Sequence, residues 1–196
     1  MRKTLLSLST VLVFLAASAF AQSANSKQAS LNQQDREFAN MAAQANQGEI
    51  EIGTLAQQKA SNDAVKQFAK TLVDDHNNAG QQLKSWASQS NFTLPSGLTP
   101  EDNSTKSSLS SESGSQFDQK FIQAQLQDHK KAIALFEKEV SEGQDPQLKQ
   151  FAQTTLPVLQ DHVRIAEDLA GKLGLSGKMG LTDESKAVNS GKQPPK

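Results

Sequence analysis

The chain contains no cysteine, only three histidines and a single long apolar run, from Leu5 to Phe20. Without cysteine there are no disulfides, no thiolate ligands and no thiol nucleophile, so stability has to come from packing alone. Lipid anchoring through a cysteine is excluded on the same ground. An excess of one charge is also missing: 20 Lys and Arg stand against 21 Asp and Glu. Such a surface offers no electrostatic footprint for nucleic acid or anionic lipid. No glycine-rich stretch opens a helix to cradle phosphate, and no serine has a histidine partner at a strand-to-helix turn.

The apolar run follows Arg2 and Lys3 and ends in Ala19-Phe20-Ala21, the small-x-small pattern of a signal-peptidase site. It is shorter than the about 20 apolar residues of a membrane span. Residues 1–21 are therefore expected to be a signal peptide. The expected mature protein is exported, periplasmic or secreted or associated with the outer membrane, with no membrane span after cleavage. Removing Arg2 and Lys3 leaves 18 basic against 21 acidic residues, a formal charge of −3. Residues 22–31 read as a flexible leader. Residues 174–196, rich in Gly, Ser and Lys and ending near Pro194-Pro195, read as a disordered tail.

Between these ends, apolar residues recur at three-and-four spacing over four stretches, the mark of amphipathic helices. The first runs from about 32 to 60 with Phe38, Met41, Ala42, Ala45, Ile52, Leu55 and Ala56 on one stripe. The second, about 63 to 90, starts at the capping sequence Ser61-Asn62-Asp63. The third, about 116 to 141, is expected to use Ser115 and Asp118 as its N-terminal cap. The fourth, about 146 to 173, starts at Asp145-Pro146 and is expected to kink at Pro157. Residues 91–115 carry Pro95, Gly97, Pro100 and many serines and threonines, and read as a long crossover loop. Lys66-Gln67-Phe68-Ala69 in the second helix recurs as Lys149-Gln150-Phe151-Ala152 in the fourth, which suggests two stacked αα-hairpins.

Four polar residues break into the inward stripes. All three histidines follow an aspartate, as Asp75-His76, Asp128-His129 and Asp161-His162, and each histidine sits at the centre of its stripe. On the first helix Glu49 falls within roughly 20° of Phe38 and Ala56 at about 100° per residue. His76 and His129 fall at their helix midpoints, and Glu49 and His162 about three residues beyond theirs, which is 4 to 5 Å at about 1.5 Å per residue. A crossover makes the first and fourth helices parallel and brings Glu49 and His162 level. All four side chains then fall in neighbouring layers.

Gly48 to Ala56, Val65 to Ala69 with Asp74-Asp75-His76, Phe117-Asp118 with Asp128-His129, and Leu156-Pro157 with Asp161-His162 resemble a bacterial exported family of unknown function. Its fold is ferritin-like, and its members are often labelled outer-membrane proteins. The resemblance implies an all-α, four-helix ferritin-like bundle over about residues 32 to 173 and no established activity. The residues three before His76, His129 and His162 are Val73, Leu126 and Leu159, so the Glu-x-x-His pairs of a di-iron ferritin site are missing.

Imidazoles with a carboxylate suit a transition metal, Fe, Zn, Cu or Mn. Glu49, His76, His129 and His162 are the candidate ligands, with Asp75, Asp128 and Asp161 as acceptors behind the imidazoles. The alternative is a non-enzymatic envelope protein whose polar layer only fixes packing, with an envelope protein or a second copy as partner. No catalytic residue is assigned.

Overall fold

The computed structural model describes residues 31–175 and contains five helices and, among these residues, no strand. The expected signal peptide and the expected leader before Leu31, and the expected tail beyond Leu175, lie outside the described residues. The helices are α1 (Gln33–Lys59), α2 (Asp63–Gln89), α3 (Pro100–Ser110), α4 (Gly114–Glu142) and α5 (Pro146–Lys172). Local chemistry sets most of the starts. Asn32 accepts from the Asp35 N–H, Asn62 from the Ala64 and Val65 N–H groups, and Asp145 from those of Gln147 and Leu148. Each satisfies donors that a helix start leaves without partners.

The four long helices form a ferritin-like bundle of two hairpins, α1–α2 and α4–α5. Helix α1 packs on α2 and α4, and α5 on α4 and α2. The start of α1 meets the end of α4, with the Phe38 and Phe136 ring centroids 5.0 Å apart. The end of α2 meets the start of α5, where the Trp86 indole N–H donates to Asp145 at 3.2 Å. Helix α1 is therefore antiparallel to α4 and α2 antiparallel to α5. The diagonal pairs are parallel, as the crossover requires.

The crossover is not the bare loop that its serine-rich composition suggests. Thr99-Pro100-Glu101-Asp102 forms a capping box, with the Thr99 hydroxyl accepting from the Asp102 N–H and the Asp102 carboxylate from the Thr99 N–H, and α3 follows. The weak apolar period of α3 hid it, because tertiary contacts hold it instead. Leu109 is buried in the core, Lys106 pairs with Glu51 at 2.6 Å, and Lys131 pairs with Glu101 at 2.6 Å. Gly48 makes room for this helix: a Cβ there would stand 2.8 Å from the Asp102 carboxyl.

Three further expectations change. Helix α4 starts after Ser113, which makes no side-chain cap bond, and Asp118 instead accepts from the Ser61 N–H, the Ser61 hydroxyl and the Asn62 N–H. Met41 is 53% exposed, outside the core stripe. Leu175, assigned to the tail, is buried and its N–H bonds the Ala170 carbonyl at 2.8 Å. Pro157 falls inside α5, as its place in the fourth apolar stretch leads one to expect.

Asp118 has a counterpart. Asp35 of α1 accepts from the Gln144 and Asp145 N–H groups, so each hairpin's turn is held by a buried aspartate from the other hairpin. Both aspartates sit in the same short pattern, Asp35-x-x-Phe38 and Asp118-x-x-Phe121, and both phenylalanines are fully buried.

The apolar interior is divided in two. One cluster holds Ile52, Leu72, Leu126 and Ala166, and the other Ala42, Leu83, Phe136 and Leu159. On every long helix the candidate polar residue lies between these: Glu49, His76, His129 and His162.

Candidate metal centre

Four helices bring the three imidazoles and one carboxyl into this dividing layer. One ring nitrogen of each of His76, His129 and His162 lies within 4.8 Å of one nitrogen of each of the others. The ring centroids are 5.1 Å apart for His129 and His162, and 5.6 Å for each of the pairs with His76. All three are buried, and Phe68 packs edge-on against His162.

Each ring has one nitrogen already committed. His76 Nδ1 faces Asn46 Oδ1 at 3.1 Å, His129 Nδ1 faces the Gln125 carbonyl at 3.0 Å, and His162 Nε2 faces Asp75 Oδ2 at 2.9 Å. These partners are acceptors, so each committed nitrogen carries the hydrogen and donates it. The other nitrogens, His76 Nε2, His129 Nε2 and His162 Nδ1, then present lone pairs. His129 Nε2 and His162 Nδ1 stand 3.0 Å apart, and His76 Nε2 is buried with no partner. Two lone pairs at that distance repel unless a cation lies between them, either a proton on His162 or a metal ion.

Burial reinforces the neutral, lone-pair form of two rings. It pushes His76 well below the usual histidine range, with His129 and His162 adding to the effect. It pushes His129 down to about 3, His162 adding to the shift and the Gln125 carbonyl opposing it. The carboxyl of Glu49 is driven up to about 8 by burial, against the pull of the Gln125 amide, with Asp128 and Asp102 adding to the rise.

Glu49 lies in the layer but behind the imidazoles. Its nearest approach is Oε1 to His129 Nδ1 at 3.6 Å, on the edge of the ring away from the shared nitrogens. Asp75 stands behind His162 in the same way. The other two aspartates do not: Asp128 reaches Lys131 at 3.5 Å, and exposed Asp161 pairs with Arg164 at 2.8 Å. The three histidines thus come together, while the four candidate ligands as a set do not converge on one point.

Sequence reasoning missed Asn46 and the Gln125 carbonyl. Asn46 lies three residues before Glu49 and so on its side of α1, but Gln44, Asn46 and Gln47 look alike in sequence. Gly80 gives Asn46 its place, since a Cβ there would come 2.7 Å from the Asn46 amide nitrogen. A cavity of about 230 Å³ adjoins the layer, and its lining includes Glu49, His76 and His129 together with Met41, Thr99 and Glu101.

The profile of the family described as "Domain of unknown function (DUF4142)" matches residues 20–169. No curated protein matches the chain. Among solved structures, the fold is similar to a DUF305 fragment from Deinococcus radiodurans, with a TM-score of 0.65 and 14% identity over 74% of this chain and 97% of that one. It is also similar to a DUF305 protein from Streptomyces coelicolor described as secreted, with a TM-score of 0.64 and 15% identity over 72% and 92% of the two chains. A third similar structure is CopM in a silver-bound form, with a TM-score of 0.59 and 16% identity over 70% and 96%. At these identities the likeness shows a shared helical-bundle fold.

Proposed function

The chain belongs to the DUF4142 family of unknown function, and from its own geometry we propose that it is an exported metal-binding protein. Its centre is His76, His129 and His162. The observation that carries this is the set of three inward nitrogens whose opposite ring nitrogens are all held by acceptors. Acceptors behind metal-bound imidazoles fix the tautomer and aim the ring, as in known metal sites. A donor set of three neutral imidazoles suits zinc or copper better than manganese, which favours oxygen. Bound there, the ion supplies a compact positive charge that satisfies all three lone pairs. Asp75 partly balances that charge, and Glu49 backs His129.

Three protein ligands leave an open position, which fits sequestration or handling of a metal. Export rests on the expected signal sequence; among the described residues no helix is long and apolar enough to cross a membrane. That a similar fold, CopM, has been seen with silver bound agrees with a soft or borderline ion.

One observation favours a second reading, a structural polar layer. The bonds from Gln125 through His129 and His162 to Asp75 already link α4, α5 and α2 without a metal. Loading tag-free protein with Zn, Cu, Fe or Mn, desalting it and measuring its metal by elemental analysis separates the two. The metal reading predicts about one Zn or Cu per chain, lost in His129→Ala. Less than about 0.1 per chain for all four metals, unchanged by His129→Ala, would leave the structural reading.

A further inference from the structure

Both hairpin turns are held by a buried aspartate from the other hairpin, Asp118 and Asp35, but only Asp35 has another buried acid against it. We infer that Glu139 and Asp35 hold a single proton between their carboxyls, and that this proton latches the start of α1 to the α4–α5 turn. Asp35 accepts from the Gln144 N–H at 2.8 Å on one oxygen and from the Asp145 N–H at 3.2 Å on the other. It is therefore the acceptor of the pair, and Glu139 is the partner that carries the hydrogen. Glu139, in the last turn of α4, is fully buried; Gln34 donates to its Oε2 at 3.2 Å, and its Oε1 has no partner. Gly143 seals it in, since a Cβ there would stand 2.4 Å from Oε1. Asp35 lies within hydrogen-bonding reach of this carboxyl.

A proton makes Glu139 a donor to Asp35. Without it, two buried carboxylates face each other and repel. The surroundings offer no cation in its place. The charged groups acting on Glu139 are Asp35 from α1 and Asp145 from the turn into α5, both acids. From α2, Trp86 donates to Asp145 at 3.2 Å, and on α4 itself Lys138 pairs with Glu142 at 3.9 Å on the exposed side. The Asp118 latch is built differently, because its partners, the Ser61 N–H and hydroxyl and the Asn62 N–H, are all donors that need no added proton.

The closed corner keeps the proton up to about pH 7, whereas an opened one releases it near the ordinary carboxyl value of 4.5. Opening therefore becomes easier as pH rises from about 4.5 to about 7 and no easier above that. The latch is remote from the histidines, about 15 Å along α4 at about 1.5 Å per residue, and its test needs no metal. Amide hydrogen exchange of the metal-free chain is followed by NMR between pH 5 and pH 8 and expressed as protection relative to the unstructured rate at each pH. Protection of the Gln144 and Asp145 amides should fall at least about tenfold and level off above pH 7, while Ser61 and Asn62 stay unchanged. Glu139→Gln, which supplies a permanent donor, should remove the fall. In the unsubstituted chain, whether or not that variant folds, the Glu139 carboxyl carbon should titrate near pH 7. Constant protection at Gln144 and Asp145, an equal fall at Ser61 and Asn62, a fall that persists in folded Glu139→Gln, or titration of Glu139 near 4.5 overturns the shared proton.

Discussion

Buried side chains that do not fit an apolar interior are the most informative residues in this bundle, and they fall into two kinds. His76, His129 and His162 have each committed one nitrogen to an acceptor and hold the other toward a common space. Glu139 is different. It is fully buried 10 residues after His129, accepts from Gln34 at 3.2 Å and leaves Oε1 without a partner. Burial drives its carboxyl up to about 7, with nearby Asp35 and Asp145 adding to the rise against the pull of Gln34. An unfolded-state carboxyl ionises first as pH rises, so this group favours unfolding increasingly from about pH 4.5 to about 7 and by a constant amount above that. Glu139→Gln should flatten this part of the stability profile and raise stability above pH 7 by about 1 kcal/mol. Urea unfolding at pH 5 and pH 8 measures it, and an unchanged difference between the two pH values would contradict the assignment. At this scale the sequence marked the three histidines well, because each stands in the middle of an apolar stripe, whereas Gln125 and Glu139, equally buried on α4, were not singled out. Their supporting acceptors were not legible: one is a backbone carbonyl, and another is one amide side chain among several.

The long helices were visible from apolar spacing and caps, with Asn62 and Asp145-Pro146 reading correctly as starts. Helix α3 escaped because its stabilisation comes through Leu109, Lys106 and Glu101 from other elements, and periodicity cannot register that. Asp118 was assigned to its own helix for the same reason. A carboxylate near a helix start looks like a cap, yet this one bonds a turn 57 residues away. Since Asp118 accepts from three donors of the α1–α2 turn, Asp118→Ala should cost about 2 to 3 kcal/mol. It should also speed hydrogen exchange at the Ser61 and Asn62 amides before any change in the bundle centre. A loss below about 0.5 kcal/mol would show that water replaces the carboxylate without penalty. The corresponding residue, Asp35, was equally hidden, although the repeated Asp-x-x-Phe pattern is a signal that could have found both.

For the whole molecule, the consequence of the polar layer is a core in two halves, joined at a level where every long helix contributes one polar side chain. The topology follows from this: α1 parallel to α5 and α2 parallel to α4 bring Glu49 and His162 to one height. An ion held at that level would tie α2, α4 and α5 together and stabilise the fold in proportion to its affinity. The central claim is that the three inward nitrogens hold one metal ion. A crystal of the protein loaded with zinc, measured at the zinc absorption edge, tests it most directly. One anomalous peak is expected about 2.0 to 2.1 Å from His76 Nε2, His129 Nε2 and His162 Nδ1 together. No peak among the histidines, with the contact between His129 and His162 intact at its metal-free 3.0 Å, would contradict it.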